Sequence, residues 1–332
     1  MKRILFFISG LVLMASCQHD VVYEVDYNIT LDKANTYYAG EPVRFNLAGE
    51  VDNVIFYSGE TGHQYVYRNR YEVPLEDVKS ANLHLEINGR YGVKGSLELY
   101  VTNGFAGLAG NDGEGDRRTI QTMVDNGMDG WDKLTVDERE NEYVVHDIPL
   151  NDYLDNMCVA LHWCPETHTK VQRTYWIRGY LSLEMEGVEP MELNILDLGF
   201  ISVMMNEEIE DPYQVNLKNA SGGNVNGCVR YDVSAAPIVF QGVSKYDEKD
   251  NTGLPYALDG WLISTPQTLN KVSNDTPQFV KNLQNYCQPF EHVYEKPGIY
   301  KVTFVGRNEN YASASEQIKE FTINNLEKPD LQ

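Results

Sequence analysis

Wherever this chain is patterned, apolar and polar residues alternate one by one over a short stretch, and the stretch then breaks at Gly, Asn, Asp or Pro. Val43-Arg44-Phe45-Asn46-Leu47 is one such run, and Ile299-Tyr300-Lys301-Val302-Thr303-Phe304-Val305 is a longer one. A period of two places successive side chains on opposite faces of a strand, so the pattern predicts an all-β chain. The 22 tyrosines fit, because strands favour aromatic residues before any function is invoked.

The two ends read alike. Tyr37-Tyr38-Ala39-Gly40-Glu41-Pro42 is a turn into the first run, and Val54-Ile55-Phe56-Tyr57 follows before a turn at Gly59 to Gly62. Far downstream, Phe290 to Val305 gives a strand, a Pro297-Gly298 turn and a second strand, with a last strand near Ile318 to Ile323. His292, Tyr294, Pro297, Gly298, Tyr300 and Val302 make this stretch resemble the second half of a PKD-type immunoglobulin-like domain. Residues 40–60 resemble its first half. The reading is one Ig/PKD-like sandwich split between residues 24–74 and 280–326; the alternative is two separate terminal sandwiches, each too short to bury much surface. Residues 78–265 supply enough strands for an inserted jelly-roll-like β-sandwich of carbohydrate-binding type, including Ser96 to Thr102, Met157 to Trp163, Val171 to Leu183 and Leu193 to Met204.

At the N-terminus, Lys2 and Arg3 precede an apolar run from Ile4 to Met14 and then Ala15-Ser16-Cys17. That is a signal peptide over residues 1–16, and Leu13 to Cys17 resembles a lipobox, which implies acylation of Cys17 and a short tether over 17–23. The apolar run falls short of the roughly twenty residues that span a bilayer. No later segment reaches that length, so the expected attachment is through acyl chains alone. The site is the outer membrane, with the chain facing the cell exterior, although His19-Asp20 is a short acidic signal for choosing that side.

Cleavage removes two bases and no acid, taking the net charge from −22 to −24. Such a surface repels nucleic acid and anionic membranes and disfavours highly sulfated polymers, leaving neutral partners; Arg68 and Arg70 are the local exception, a cluster able to hold one acidic sugar. Cys158 and Cys164 share a strand at a separation of roughly 20 Å, beyond disulfide reach. Free, buried thiols are expected for Cys158, Cys164, Cys228 and Cys287, and no Cys or His spacing suggests zinc.

Within Val171 to Leu183, Val171, Tyr175, Ile177, Leu181 and Leu183 share the core face with Arg173. Trp176, Arg178 and Tyr180 share the other. A flat ring stacks on a pyranose while guanidinium and hydroxyl groups bond its hydroxyls, so this face reads as a sugar platform or as the rim of a two-sided core. Neighbouring strands offer Glu98 and Tyr100, and Ala160 and His162, on equivalent faces; Tyr100, His162, Trp176 and Arg178 are predicted to line one concavity. Trp131 in its Gly-rich loop is predicted to be exposed, and Trp163 to be core. Asn111-Asp112-Gly113-Glu114-Gly115-Asp116 sets carboxylates at alternate positions in a loop, which suits a structural Ca2+ held by Asp112, Glu114 and Asp116, or a solvated acidic loop. No G-x-S-x-G, H-E-x-x-H or P-loop is present, so no catalytic residue is assigned; two carboxylates of a glycosidase would leave no motif.

Several motifs together resemble a Bacteroidetes family of surface lipoproteins of unassigned function: Val25-Asp26-Tyr27-Asn28-Ile29-Thr30-Leu31-Asp32-Lys33, Gly40 to Phe45, Phe56 to Tyr65 with Arg68 and Arg70, Gly260-Trp261-Leu262-Ile263-Ser264, and Pro297 to Val305. The stretch Asn206 to Asp259 departs from it. Members are often encoded beside starch-utilisation-type uptake systems. The resemblance implies a non-catalytic role in capturing oligo- or polysaccharide for an outer-membrane transporter complex. The alternatives are an adhesion or structural surface protein and a glycoside hydrolase or lyase.

Overall fold

The computed structural model describes residues 22–206, 237–250, 252–311 and 313–329, with the backbone of 217–218, 224–225 and 229–230. The signal segment 1–16, Cys17 and Cys228 lie outside the described residues. Among the described residues, no helix is long and apolar enough to cross a membrane.

The chain opens with β1 (Asp26–Leu31), β2 (Thr36–Tyr38), β3 (Pro42–Glu50) and β4 (Asn53–Tyr57). It continues through β5 (Val78–Arg90), β6 (Leu97–Thr102), helix α1 (Gly113–Asp125), β7 (Asp132–Leu134), β8 (Tyr143–Pro149), β9 (Cys158–Trp163), β10 (Thr174–Met185), β11 (Met191–Asn194) and β12 (Ile201–Met204). Short β13 (Leu217–Lys218), β14 (Asn224–Val225) and β15 (Val229–Arg230) precede β16 (Ile238–Phe240) and β17 (Gly260–Ile263). The last strands are β18 (Gln278–Lys281), β19 (Phe290–Val293), β20 (Gly298–Glu309) and β21 (Ala314–Leu326). The chain is all-β and built of sandwiches, as its alternation predicts.

Two local expectations fail. The strand expected over Leu193 to Met204 is broken by a 3-10 turn at Ile195–Leu198 that ends on Gly199 at φ +65°, a left-handed position that glycine adopts without Cβ strain. The acidic loop expected at 111–116 is instead the start of α1.

By its contacts the chain divides into two compact units, one running to Tyr71 and resuming at Val272, the other Glu72–Lys271. In the first, the sheets run β1-β3-β19 and β18-β4-β20-β21-β2, so each contains strands from both ends of the chain. Its core does the same: Phe45 and Phe56 meet Phe304 at ring-centroid distances of 5.0 and 4.8 Å. Tyr294 is fully buried, and its hydroxyl donates to the Ser58 carbonyl at 2.8 Å.

The second unit carries two sheets. The front sheet runs β15-β16-β10-β5-β8, with β11 also on β10; the back sheet runs β12-β17-β9-β6-β7. Their inner faces bury Leu83, Leu85, Ile87, Tyr175, Ile177 and Leu181 from the front, and Leu97, Leu99, Val101, Val159, Leu161 and Trp163 from the back. Trp163 packs on Phe240 at 5.9 Å and donates from Nε1 to the Arg173 carbonyl at 3.0 Å. The Tyr175 hydroxyl sits 3.3 Å from the Ser96 amide. Arg173 lies wholly inside, which a guanidinium tolerates only when paired: Nε is 2.9 Å from Glu138 Oε2 and Nη1 2.9 Å from Glu140 Oε2.

Phe304 is the aromatic hub of the first unit and touches rings from both ends of the chain. Phe304→Ala is expected to cost about 3–5 kcal/mol of stability, read as a lower denaturant midpoint by circular dichroism; a loss under about 1 kcal/mol would show that the two terminal segments do not share this core.

Candidate functional site

β10 pairs with β5 along its whole length, Thr174 opposite Arg90 through to Met185 opposite Val78. Burying Tyr175, Ile177 and Leu181 therefore turns Trp176, Arg178 and Tyr180 outward on the front sheet. The register extends each into a row: Trp176 with Asn88 and Tyr143, Arg178 with Glu86 and Val145, Tyr180 with His84 and Asp147. Arg178 is fixed twice, its Nε 2.7 Å from Glu86 Oε2 and its guanidinium 4.3 Å over the Tyr143 ring. Arg90 lies 5.0 Å over Trp176 and bonds Asn88 Oδ1 at 3.2 Å. His84 stacks on Tyr180 at 4.7 Å and meets Asp147 at 2.6 Å. Tyr143, Val145 and Arg178 are exposed and Trp176 is half-buried, so this face presents rings and polar groups whose orientations are already set.

Tyr100 and His162 belong to β6 and β9 in the back sheet and face away from its inner side. The concavity expected from Tyr100, His162, Trp176 and Arg178 does not form, because the first pair and the second pair stand on opposite outer faces of one sandwich. Alternation assigns a residue to a face but does not choose which strands are neighbours.

The back sheet's outer face is partly covered. Ile120 and Met123 of α1 pack on Tyr100, Ala160, Val203, Trp261 and Ile263, with Phe105 and Trp131 beside them. Trp131, expected to be exposed, is half-buried with its ring 5.4 Å from that of Phe105. Beside this cover, Glu98, His162 and Trp261 form one row across β6, β9 and β17. The imidazole of His162 lies flat on the Trp261 indole, 3.9 Å away and within 12° of parallel. Its Nε2 is 2.9 Å from Asp259 Oδ1 and its Nδ1 is 3.1 Å from Glu98 Oε2. Glu98 also accepts from the Tyr100 hydroxyl at 2.7 Å and pairs with Lys133.

The electrostatics follow from this clamp. Burial alone would lower the pKa of His162, but hydrogen bonds to Asp259 and the neighbouring Cys164 outweigh it and push the pKa up to about 10. Burial would raise Glu98, yet bonds from Lys133, Tyr100 and His162 hold it down to about 2. Burial and the Glu98 carboxylate keep the Tyr100 hydroxyl protonated well beyond the ordinary tyrosine range. A histidine biased this far toward its charged form serves poorly as a general base near neutral pH.

Cys164 sits two residues beyond His162, just past the end of β9; a Glu98 carboxylate oxygen, a His162 ring nitrogen and Cys164 Sγ lie within 4.8 Å of one another. This group runs against the expectation that no Cys or His spacing marks a metal site; His162-Trp163-Cys164 is the signal that could have found it, since a spacing of two in extended backbone aims both side chains the same way. Cys158, Cys164 and Cys287 are free thiols, but only Cys158 is buried, correcting the expectation for the other two.

The calcium set does not converge. Asp112 is the N-cap of α1 and accepts from the Gly115 amide at 3.0 Å, a contact so close that a Cβ at Gly115 would meet Asp112 Oδ2 at 2.3 Å. Glu114 pairs with Arg118 one turn on. Asp116 is buried and accepts from the amides of Ala109 and Gly110 at 2.8 and 2.9 Å. Helix capping and backbone satisfaction use the carboxylates that a cation would need. In the first unit, the Arg68 guanidinium lies 3.9 Å over the Tyr65 ring, and Arg70 lies over Tyr67 and pairs with the buried Asp275.

The sequence profile of a family described as a domain of unknown function (DUF5017) matches residues 16–117, less than a third of the 332-residue chain. The match includes Glu98 and Tyr100 and stops before His162 and Trp176. No curated protein matches the chain, and no solved structure does.

Asp116→Ala orphans two backbone amides. It is expected to lower stability by about 1–3 kcal/mol in thermal or urea unfolding, by the same amount with and without added calcium; a loss that appears only when calcium is present would restore the cation site.

Proposed function

We propose that the protein is a non-catalytic glycan-binding lipoprotein, held at the outer membrane through Cys17 and facing the cell exterior, where it captures neutral oligo- or polysaccharide for an uptake complex. The observation that carries this reading is the outward face of the front sheet. Rows of side chains on a strand repeat every two residues, about 6.6 Å, so Trp176, Arg178 and Tyr180 with their neighbours on β5 and β8 offer a platform about 13 Å long. Rings supply the apolar contact that a pyranose C–H face needs. Arg178, Glu86, His84 and Asp147 supply donors and acceptors already held in place by one another, which lowers the entropy lost on binding.

Further observations support the reading. The acidic chain favours an uncharged ligand. The lipobox at Leu13 to Cys17 supports export and lipidation.

Glycan-array and affinity-gel binding by the purified protein tests the reading. Retention of at least one neutral glycan without release of new reducing ends is expected. In Trp176→Ala the affinity is expected to fall by about thirtyfold, roughly 2 kcal/mol, with unchanged circular dichroism. Undiminished binding in that variant removes the platform, and product release makes the protein an enzyme.

A further inference from the structure

The back sheet holds a second kind of chemistry, separate from the platform. Glu98 on β6 and His162 on β9 face each other across a ladder rung, and Cys164 follows two residues on, just past the end of β9. A carboxylate oxygen, an imidazole nitrogen and a thiol sulfur thereby come within 4.8 Å of one another. In a tetrahedral zinc site, with bonds of about 2.0–2.3 Å, ligand atoms stand roughly 3.5 Å apart. Rotation of the Cys164 side chain covers the difference.

We propose that Glu98, His162 and Cys164 form a zinc-binding site. The donor set selects the metal. Calcium and magnesium want oxygen throughout, whereas a thiolate, an imidazole and one carboxylate suit a borderline-soft ion with tetrahedral preference. All three residues are partly exposed, so the fourth position opens to solvent, where water completes the shell.

The surroundings have the form of a metal ligand's support. Ligating histidines usually donate their second ring nitrogen to a carboxylate, which fixes the tautomer and aims the lone pair at the metal. Here Nε2 lies 2.9 Å from Asp259 Oδ1 while Nδ1 lies 3.1 Å from Glu98 Oε2. Trp261, stacked flat on the ring, holds its plane. The 3.1 Å between Nδ1 and Glu98 Oε2 is already close to the separation of two ligand atoms on one zinc ion. The Tyr100 hydroxyl and Lys133 stay on Glu98 and fix its carboxylate. Glu98 and His162 stand on adjacent strands, so the ladder sets their geometry, and Cys164 follows directly after β9 with its amide donating to the Ser96 carbonyl at 2.9 Å.

Cobalt is the probe, because thiolate ligation gives it a strong near-ultraviolet charge-transfer band and tetrahedral coordination gives visible bands. The purified protein, reduced and stripped with a chelator, is expected to develop both with one equivalent of Co2+ and to lose them when Zn2+ is added. Cys164→Ser, a small change at a partly exposed position, is expected to abolish the charge-transfer band, whereas Cys287→Ser is expected to keep it. Asp259→Asn removes no ligand; it is expected to keep the band and weaken zinc binding about 10- to 100-fold, measured by competition with a chromophoric chelator. Absence of the band in the folded wild-type protein overturns the proposal. So does a band that survives Cys164→Ser, or zinc affinity unchanged in that variant.

Discussion

The antiparallel ladder between β5 and β10 is the constraint on which the rest of the middle unit depends. It runs the length of β10, and a slip of one residue would turn every side chain to the opposite face. Tyr175, Ile177 and Leu181 are buried against the back sheet, so Trp176, Arg178 and Tyr180 have no choice but to face out. The buried Arg173 reinforces the register: it reaches Glu138 and Glu140 only from the inner face, and an unpaired guanidinium there would carry a large desolvation penalty.

One sandwich thus presents two outer faces of different character. The front face pairs Arg178 with Glu86 and His84 with Asp147 within the sheet and sets Arg90 over Trp176. The back face is partly roofed by α1 and concentrates unlike donors around His162. Each face is fixed by the burial of the other side of its own strands, and nothing requires the two to serve the same ligand.

Much of this was legible in the sequence, and the limits have physical causes. Alternation marked the strands, put Trp163 and Arg173 inside, and set Trp176 and Arg178 on the face opposite Tyr175 while leaving open whether that face was open or a second core, because side-chain direction is a local property and the cover over a face is not. Strand partnership is not local, which is why Tyr100 and His162 were placed beside Trp176 when they stand on the opposite sheet. Helix α1 was hidden by its own first turn: Asp112, Gly113 and Gly115 read as a loop, yet they are an N-cap and a glycine small enough to sit against it. The acidic partners of Arg173 and the Asp259 contact of His162 join residues far apart along the chain, and no spacing announces them. His162 and Cys164 were adjacent enough to notice; what was missing was the strand opposite, which brings Glu98.

The most direct test of the front-face assignment is hydrogen–deuterium exchange of the protein with and without the oligosaccharide it retains best. Slower exchange is expected in peptides covering β8, β10 and the Glu86 to Arg90 end of β5, with β9 and β17 unchanged. Protection confined to the back sheet around His162 and Trp261, or no protection anywhere in the middle unit, would contradict it.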